Sequence, residues 1–200
     1  GVVVVVAAGN SGPDFTTINA PASAHYVVSV GAMRMGLYGE TIAGFSSRGP
    51  TSDGRQGIDL VAPGVEIYTA QARMNGFPDV TSITDSTGTS FSAPWTAGLV
   101  ALALSRNPAL KPPLGTICEL NDVTCPYGVI QSTMSDPVED LLKQECNDWG
   151  RPGPDPDTGC GVVRSARVIE RAAGVSSQAS YPPICNFTIT HGVPTTSDFG

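Results

Sequence analysis

Apolar runs of strand length alternate with turn residues along the first half of the chain, and helical spacing dominates only later. Val2–Val6 is a continuous β-branched run, the pattern of a parallel strand covered on both faces. Gly9-Asn10-Ser11-Gly12-Pro13 breaks it with turn residues. Tyr26–Ala32 predicts a second strand, Thr41–Phe45 a shorter third, and Asp59–Ala62 and Glu66–Ala70 two more around a Pro63-Gly64 turn. Val80–Thr84 predicts another. Ser92–Ser105 predicts the main helix, with Ala97, Val100, Ala101 and Leu104 on one face and Gly98 permitting close packing. Pro94 is tolerable there because it falls in the first turn. Val129–Met134 and Pro137–Gln144 have helical character, and Arg164–Ala173 predicts an amphipathic helix capped by Ser165 and stopped by Gly174. Pro112–Pro126 reads as an insertion and Asp148–Gly161 as a loop. Strands mixed with a long buried helix predict an α/β layered domain over residues 1–174. Residues 175–200 shift towards Ser, Thr and Pro, and read as a tail or the start of another segment.

One stretch carries chemistry. Gly88-Thr89-Ser90-Phe91-Ser92-Ala93-Pro94 delivers a serine to the start of the main helix. Free backbone N–H groups and the positive end of the helix dipole lie there, which suits a nucleophile whose reaction creates an oxyanion. An N-capping serine is the plain alternative. The stretch closely resembles the nucleophile motif of the subtilisin-like serine proteases, the subtilases. Ala7-Ala8-Gly9-Asn10 resembles the family's oxyanion-asparagine segment. Phe45-Ser46-Ser47-Arg48-Gly49-Pro50 and Asp59-Leu60-Val61-Ala62-Pro63-Gly64 resemble two further signatures, in the family's order.

The resemblance implies an α/β fold with a mostly parallel sheet flanked by helices, of which this chain supplies the C-terminal half. It implies a serine endopeptidase acting on polypeptides. Ser90 would be the nucleophile and the Asn10 carboxamide the oxyanion donor, beside the Ser90 backbone N–H. In subtilisins themselves, losing such a donor costs about 10²–10³ in kcat. Thr89 would lend its hydroxyl to the oxyanion site or support the loop. Ala7, Ala8 and Gly9 would form one wall of an open apolar pocket, or pack the strand closely. For Asn10 the alternative is an ordinary turn asparagine.

The chain has two histidines, His25 and His191, and neither occupies the family's position for the base. The family's aspartate motif is likewise missing, and Asp157-Thr158-Gly159 imitates its letters in ordinary turn chemistry. Two of the three triad residues are therefore expected on an N-terminal part upstream, since the chain enters a core strand at once. The alternative is a non-catalytic pseudoprotease that binds peptides on the same fold.

Charge and cysteines narrow the setting. A net charge of −7 argues against nucleic acid or an anionic membrane surface as partner, and no apolar run approaches a spanning helix. Five cysteines without a Cys-x-x-Cys pair favour disulfides over zinc, and hence a secreted protein. The simplest pairing is Cys118–Cys125 and Cys146–Cys160, with Cys185 unassigned. Arg48 is expected to be solvated. No cofactor is required for the chemistry. The resemblance does imply a structural calcium ion held by carbonyls of Ala22, Ala24, His25 or Val27, with Asp59 supplying the charge; Asp59 hydrogen-bonding the loop is the alternative.

Overall fold

The computed structural model describes residues 2–36, 39–70, 83–110 and 137–174. The expected elements at 129–134, Cys118, Cys125, Cys185, His191 and the segment 175–200 lie outside them.

Among the described residues, eight strands and three α-helices follow in order: β1 (Val5–Ala7), β2 (Val28–Gly36), β3 (Gly39–Ile42), β4 (Leu60–Pro63), β5 (Ile67–Ala70), β6 (Ile83–Ser86), α1 (Thr89–Arg106), α2 (Pro137–Gln144), β7 (Cys146–Asn147), β8 (Val162–Val163) and α3 (Ser165–Ala172). The main sheet runs β1-β2-β4-β8-β7, with β3 paired to β2. The pairs β1/β2, β2/β4 and β4/β8 are parallel, while β3 and β7 are antiparallel additions. This is the mostly parallel α/β sheet that the resemblance implies. β5 and β6 form a separate antiparallel pair.

The central strands are buried on both faces, as their unbroken apolar runs require. Val28 and Val30 of β2, Leu60 and Ala62 of β4, and Val163 of β8 pack with Leu99, Val100 and Ala103 of α1, Leu141 and Leu142 of α2, and Val168 of α3. Met33, Val61 and Val162 point the other way, into a smaller cluster with Ala8, Ile18, Ala22 and Ile58. Among the described residues, helices cover the first face and loops the second.

Several local expectations change. Val2–Val6 is not a strand covered on both faces: β1 begins at Val5, and Val2 and Val4 are exposed because β1 ends the sheet order. The third strand is Gly39–Ile42, paired to β2 as a hairpin, rather than Thr41–Phe45. α1 begins at Thr89, three residues earlier than predicted, so Pro94 sits inside the helix. Proline has no N–H to donate to the Ser90 carbonyl four residues back. The buried face of α1 is Ser92, Ala93, Thr96, Leu99, Val100 and Ala103, and Ala97 and Ala101 are exposed. Gly98 has open space around it, so it is not the close-packing glycine. That role falls to Gly64, where a Cβ would lie 2.1 Å from the Ser92 hydroxyl. Ser165 is the first residue of α3, and no side chain caps that helix. Gly174 does follow it in the left-handed region, at φ 72°, donating to the Arg171 carbonyl.

The loop between β7 and β8 is tied down from both ends. Cys146 and Cys160 are disulfide-bonded, as the short spacing predicts. Asp155 is buried, and its Oδ1 accepts from the N–H groups of Asp157 and Thr158 at 2.8 Å each. The Asp157-Thr158-Gly159 run is thus a turn. Arg48 is not solvated: its guanidinium meets Asp157 at 3.0 Å and joins the Phe45–Pro50 signature to this loop.

Candidate active site

The turn before α1 sets the site. Gly88 caps the helix at φ 151°, a conformation that favours glycine. Its N–H donates to the Gly64 carbonyl at 2.8 Å, which anchors the turn on the end of β4. Thr89 is buried and Ser90 exposed, so the second residue of α1 presents its hydroxyl outward at the helix N-terminus.

Asn10 reaches the same place from the loop after β1. Its Oδ1 accepts from the Thr89 N–H at 3.0 Å and from the Thr89 hydroxyl at 2.8 Å. With Oδ1 committed twice, the carboxamide orientation follows from the network, and Nδ2 is left to face outward. Gly88 measures the result. A Cβ on it would lie 3.3 Å from Asn10 Nδ2, 3.4 Å from Ser90 Oγ and 3.8 Å from Ser90 N. The Ser90 hydroxyl and two N–H donors therefore converge on one small open volume, and the missing Cβ keeps it open. A tetrahedral oxyanion needs that arrangement.

Of the two parts expected of Thr89, its hydrogen bonds match support. Its Oγ1 accepts from the Gly9 N–H at 3.2 Å and gives its one proton to Asn10 Oδ1. A hydroxyl has a single proton. Thr89 therefore orients Asn10 instead of donating to the oxyanion itself. Of the wall residues, Ala8 is buried in the second core cluster, while Ala7 and Gly9 remain half-buried beside Asn10.

Two supports were not singled out from the sequence. Gly88 is visible there only as one letter of a motif. Ser47 lies in a signature to which the sequence attaches no task. Among the described residues the one histidine is His25, and its ring lies 6.1 Å from that of Tyr26 in the loop before β2.

Asp59, the carboxylate expected to supply the charge for calcium, already meets a cation. Asp59 Oδ2 accepts from the Ser29 N–H at 2.7 Å, and Oδ1 meets Lys143 Nζ at 2.7 Å. Lys143 also meets Glu139 at 2.6 Å. Burial alone would lower the Lys143 pKa, but the Asp59 and Glu139 carboxylates outweigh it and hold the ammonium above its ordinary value. Beside Ala22, Ala24, His25 and Val27, the Arg55 guanidinium donates to the Ser23 carbonyl. Both places already carry a cationic side chain. No group of three or more His, Cys, Asp or Glu side chains converges among the described residues. Nor is any helix among them long and apolar enough to cross a membrane.

The chain is 40% identical over 124 residues to the serine protease AprX of Bacillus subtilis, covering 56% of this chain and 28% of that protein. It is 38% identical over 113 residues to subtilisin DY of Bacillus licheniformis, covering 56% of this chain and 35% of the relative. The crystal structure of fervidolysin from Fervidobacterium pennivorans, a keratinolytic enzyme related to subtilisin, superposes with a TM-score of 0.60 at 26% identity. That match covers 85% of this chain and 22% of the other. The chain thus spans about a third or less of the length of each. The model of the subtilase family, Peptidase S8, matches residues 1–159, and the chain belongs to that family.

Proposed function

We propose that the protein is a serine endopeptidase that cleaves polypeptides through an acyl-enzyme on Ser90, and that it works outside the cell. The observation that carries this reading is the convergence of Ser90 Oγ, Ser90 N–H and Asn10 Nδ2 on the space beside Gly88. In this reading Ser90 Oγ attacks the scissile carbonyl, its proton passes to a general base, and the carbonyl oxygen becomes an oxyanion between the two donors. The base then returns the proton to the leaving amine, and water repeats the sequence on the acyl-enzyme.

A serine hydroxyl needs that base. Neither His25 nor His191 occupies the family's position for the base, so the reading places the base and its orienting carboxylate on polypeptide outside this chain. The bonded pair Cys146–Cys160 is in keeping with an oxidising compartment. A binding protein with no chemistry has no need of both Ser90 and an Asn10 held in one orientation.

A fluorophosphonate probe offered to the full-length protein should label Ser90 and abolish peptide hydrolysis. Labelling that persists after Ser90→Ala, or a wild-type protein that binds peptide without cleaving it, would overturn the reading.

A further inference from the structure

We propose that Ser47 is the positioning residue of the oxyanion loop, fixing Asn10 from behind through the two residues that flank it. This rests on reading Asn10 as the oxyanion donor. Ser47 is fully buried. Its backbone N–H donates to the Gly9 carbonyl at 2.9 Å, and its hydroxyl oxygen accepts from the Ser11 N–H at 3.1 Å. One residue therefore holds both neighbours of Asn10, leaving the asparagine as the single link between two clamped points. The neighbouring Phe45 carbonyl extends the clamp by accepting from the Gly12 N–H at 2.9 Å.

The contact is close enough to dictate residue type on the other side. A Cβ on Gly9 would lie 2.7 Å from Ser47 Oγ, and one on Gly12 would lie 1.9 Å from the Ser46 carbonyl oxygen. The glycines on either side of Asn10 let its loop lie flat on the Phe45–Pro50 segment. Thr89 holds the Asn10 side chain from the front, and Ser47 holds its backbone from the back. Preorganised donors stabilise an oxyanion only while they cannot relax away from it. The Phe45–Pro50 signature thereby acquires a task, which is to carry the mount for the donor.

The test is steady-state kinetics on the full-length protein, with the concentration of competent sites counted by fluorophosphonate titration so that misfolding does not enter the rate. A misplacement of about 1 Å costs up to about 10²-fold in rate. Ser47→Ala is therefore expected to lower kcat roughly 10- to 100-fold per competent site. KM should stay within about twofold, since the donor acts on the transition state. A peptide aldehyde, which forms the tetrahedral oxyanion, should lose affinity by the same factor as kcat. Ser47→Cys keeps the side-chain size and a weak acceptor, and should fall between the two. Because Ser47 acts through Asn10, adding Ser47→Ala to Asn10→Ala should cost little more.

If Ser47→Ala raises KM at unchanged kcat, or multiplies its full effect onto Asn10→Ala, the positioning role is wrong. A wild-type rate in Ser47→Ala and Ser47→Cys overturns it equally. If Asn10→Ala itself leaves kcat unchanged, the oxyanion reading beneath it has failed instead.

Discussion

Replacing Lys143 by methionine removes the one cation set between Asp59 and Glu139. The stem packs much as before, while two carboxylates 2.7 and 2.6 Å from the lost ammonium are left facing each other. Breaking a buried pair from one side costs about 3–5 kcal/mol, and a fully exposed pair about 0–1. The three side chains are 16%, 19% and 21% exposed, much nearer the buried limit. Allowing for that residual screening, the loss should be about 2–3 kcal/mol, or about 5–10 °C in the melting midpoint of a domain this size. The assay is thermal melting of the full-length protein with calcium or with chelator, comparing wild type, Lys143→Met and Asp59→Asn. Other ion sites contribute equally to all three and cancel. Wild type and Asp59→Asn should respond to calcium alike, because the ammonium already neutralises Asp59. Lys143→Met uncovers Asp59 Oδ1, a hard oxygen donor, and should respond more. Alkali gives a second handle. Because the folded pKa lies above the unfolded value of about 10.4, this stabilisation is complete below that pH and fades as pH rises towards the folded value. A calcium response in wild type that Asp59→Asn abolishes would refute the reasoning and restore a metal at Asp59. A loss under about 0.5 kcal/mol in Lys143→Met would show that the pair behaves as a surface one.

Gly88→Ala puts a methyl into the space shared by Ser90 Oγ and Asn10 Nδ2; kcat should fall by at least about 10²-fold, comparable to losing an oxyanion donor, and retained activity would place the oxyanion elsewhere. Thr89→Val removes the hydroxyl that donates to Asn10 Oδ1 and accepts from the Gly9 N–H, but keeps the backbone N–H; losing the bond that orients Asn10, worth about 1 kcal/mol, should alone lower kcat roughly fivefold, measured against a peptide substrate at unchanged KM. The 200-residue chain by itself should hydrolyse no peptide, because general-base assistance to Ser90 is missing; Ser90-dependent turnover by the purified chain would contradict this. Replacing Cys146 and Cys160 together by alanine opens a loop of sequence separation 14, and chemical denaturation should show a loss of about 2–3 kcal/mol.

The groups proposed to react were legible in the sequence, and most of what holds them was not. Ser90 and Asn10 stand out because acyl transfer demands those side chains and their flanking wording is local. The face of α1 was misjudged for a related reason: counting apolar letters favours Ala97 and Ala101, whereas the helix lies so close to the end of β4 that small residues face inward. Ser92 is buried there, and Thr96 hides its own polarity by donating to the Ser92 carbonyl at 3.0 Å. Lys143 reads as a surface charge on an amphipathic helix until the fold lays that helix against Asp59.

The supports share a property that explains their silence. Ser47 grips the Gly9 carbonyl and the Ser11 N–H, Gly64 accepts from the Gly88 N–H, and Thr89 is itself held by the Gly9 N–H. Each of these bonds has backbone on at least one side, which every residue supplies, so no side chain marks that partner. Only the glycines leave a trace, and it is a trace of exclusion: Gly9, Gly12, Gly64 and Gly88 each stand where a Cβ would strike a neighbour or enter the site. A glycine in a sequence reads first as a turn. In this site the more informative question is what lies against it, and the answers are Ser47, the Ser46 carbonyl, Ser92 and the space between Asn10 and Ser90.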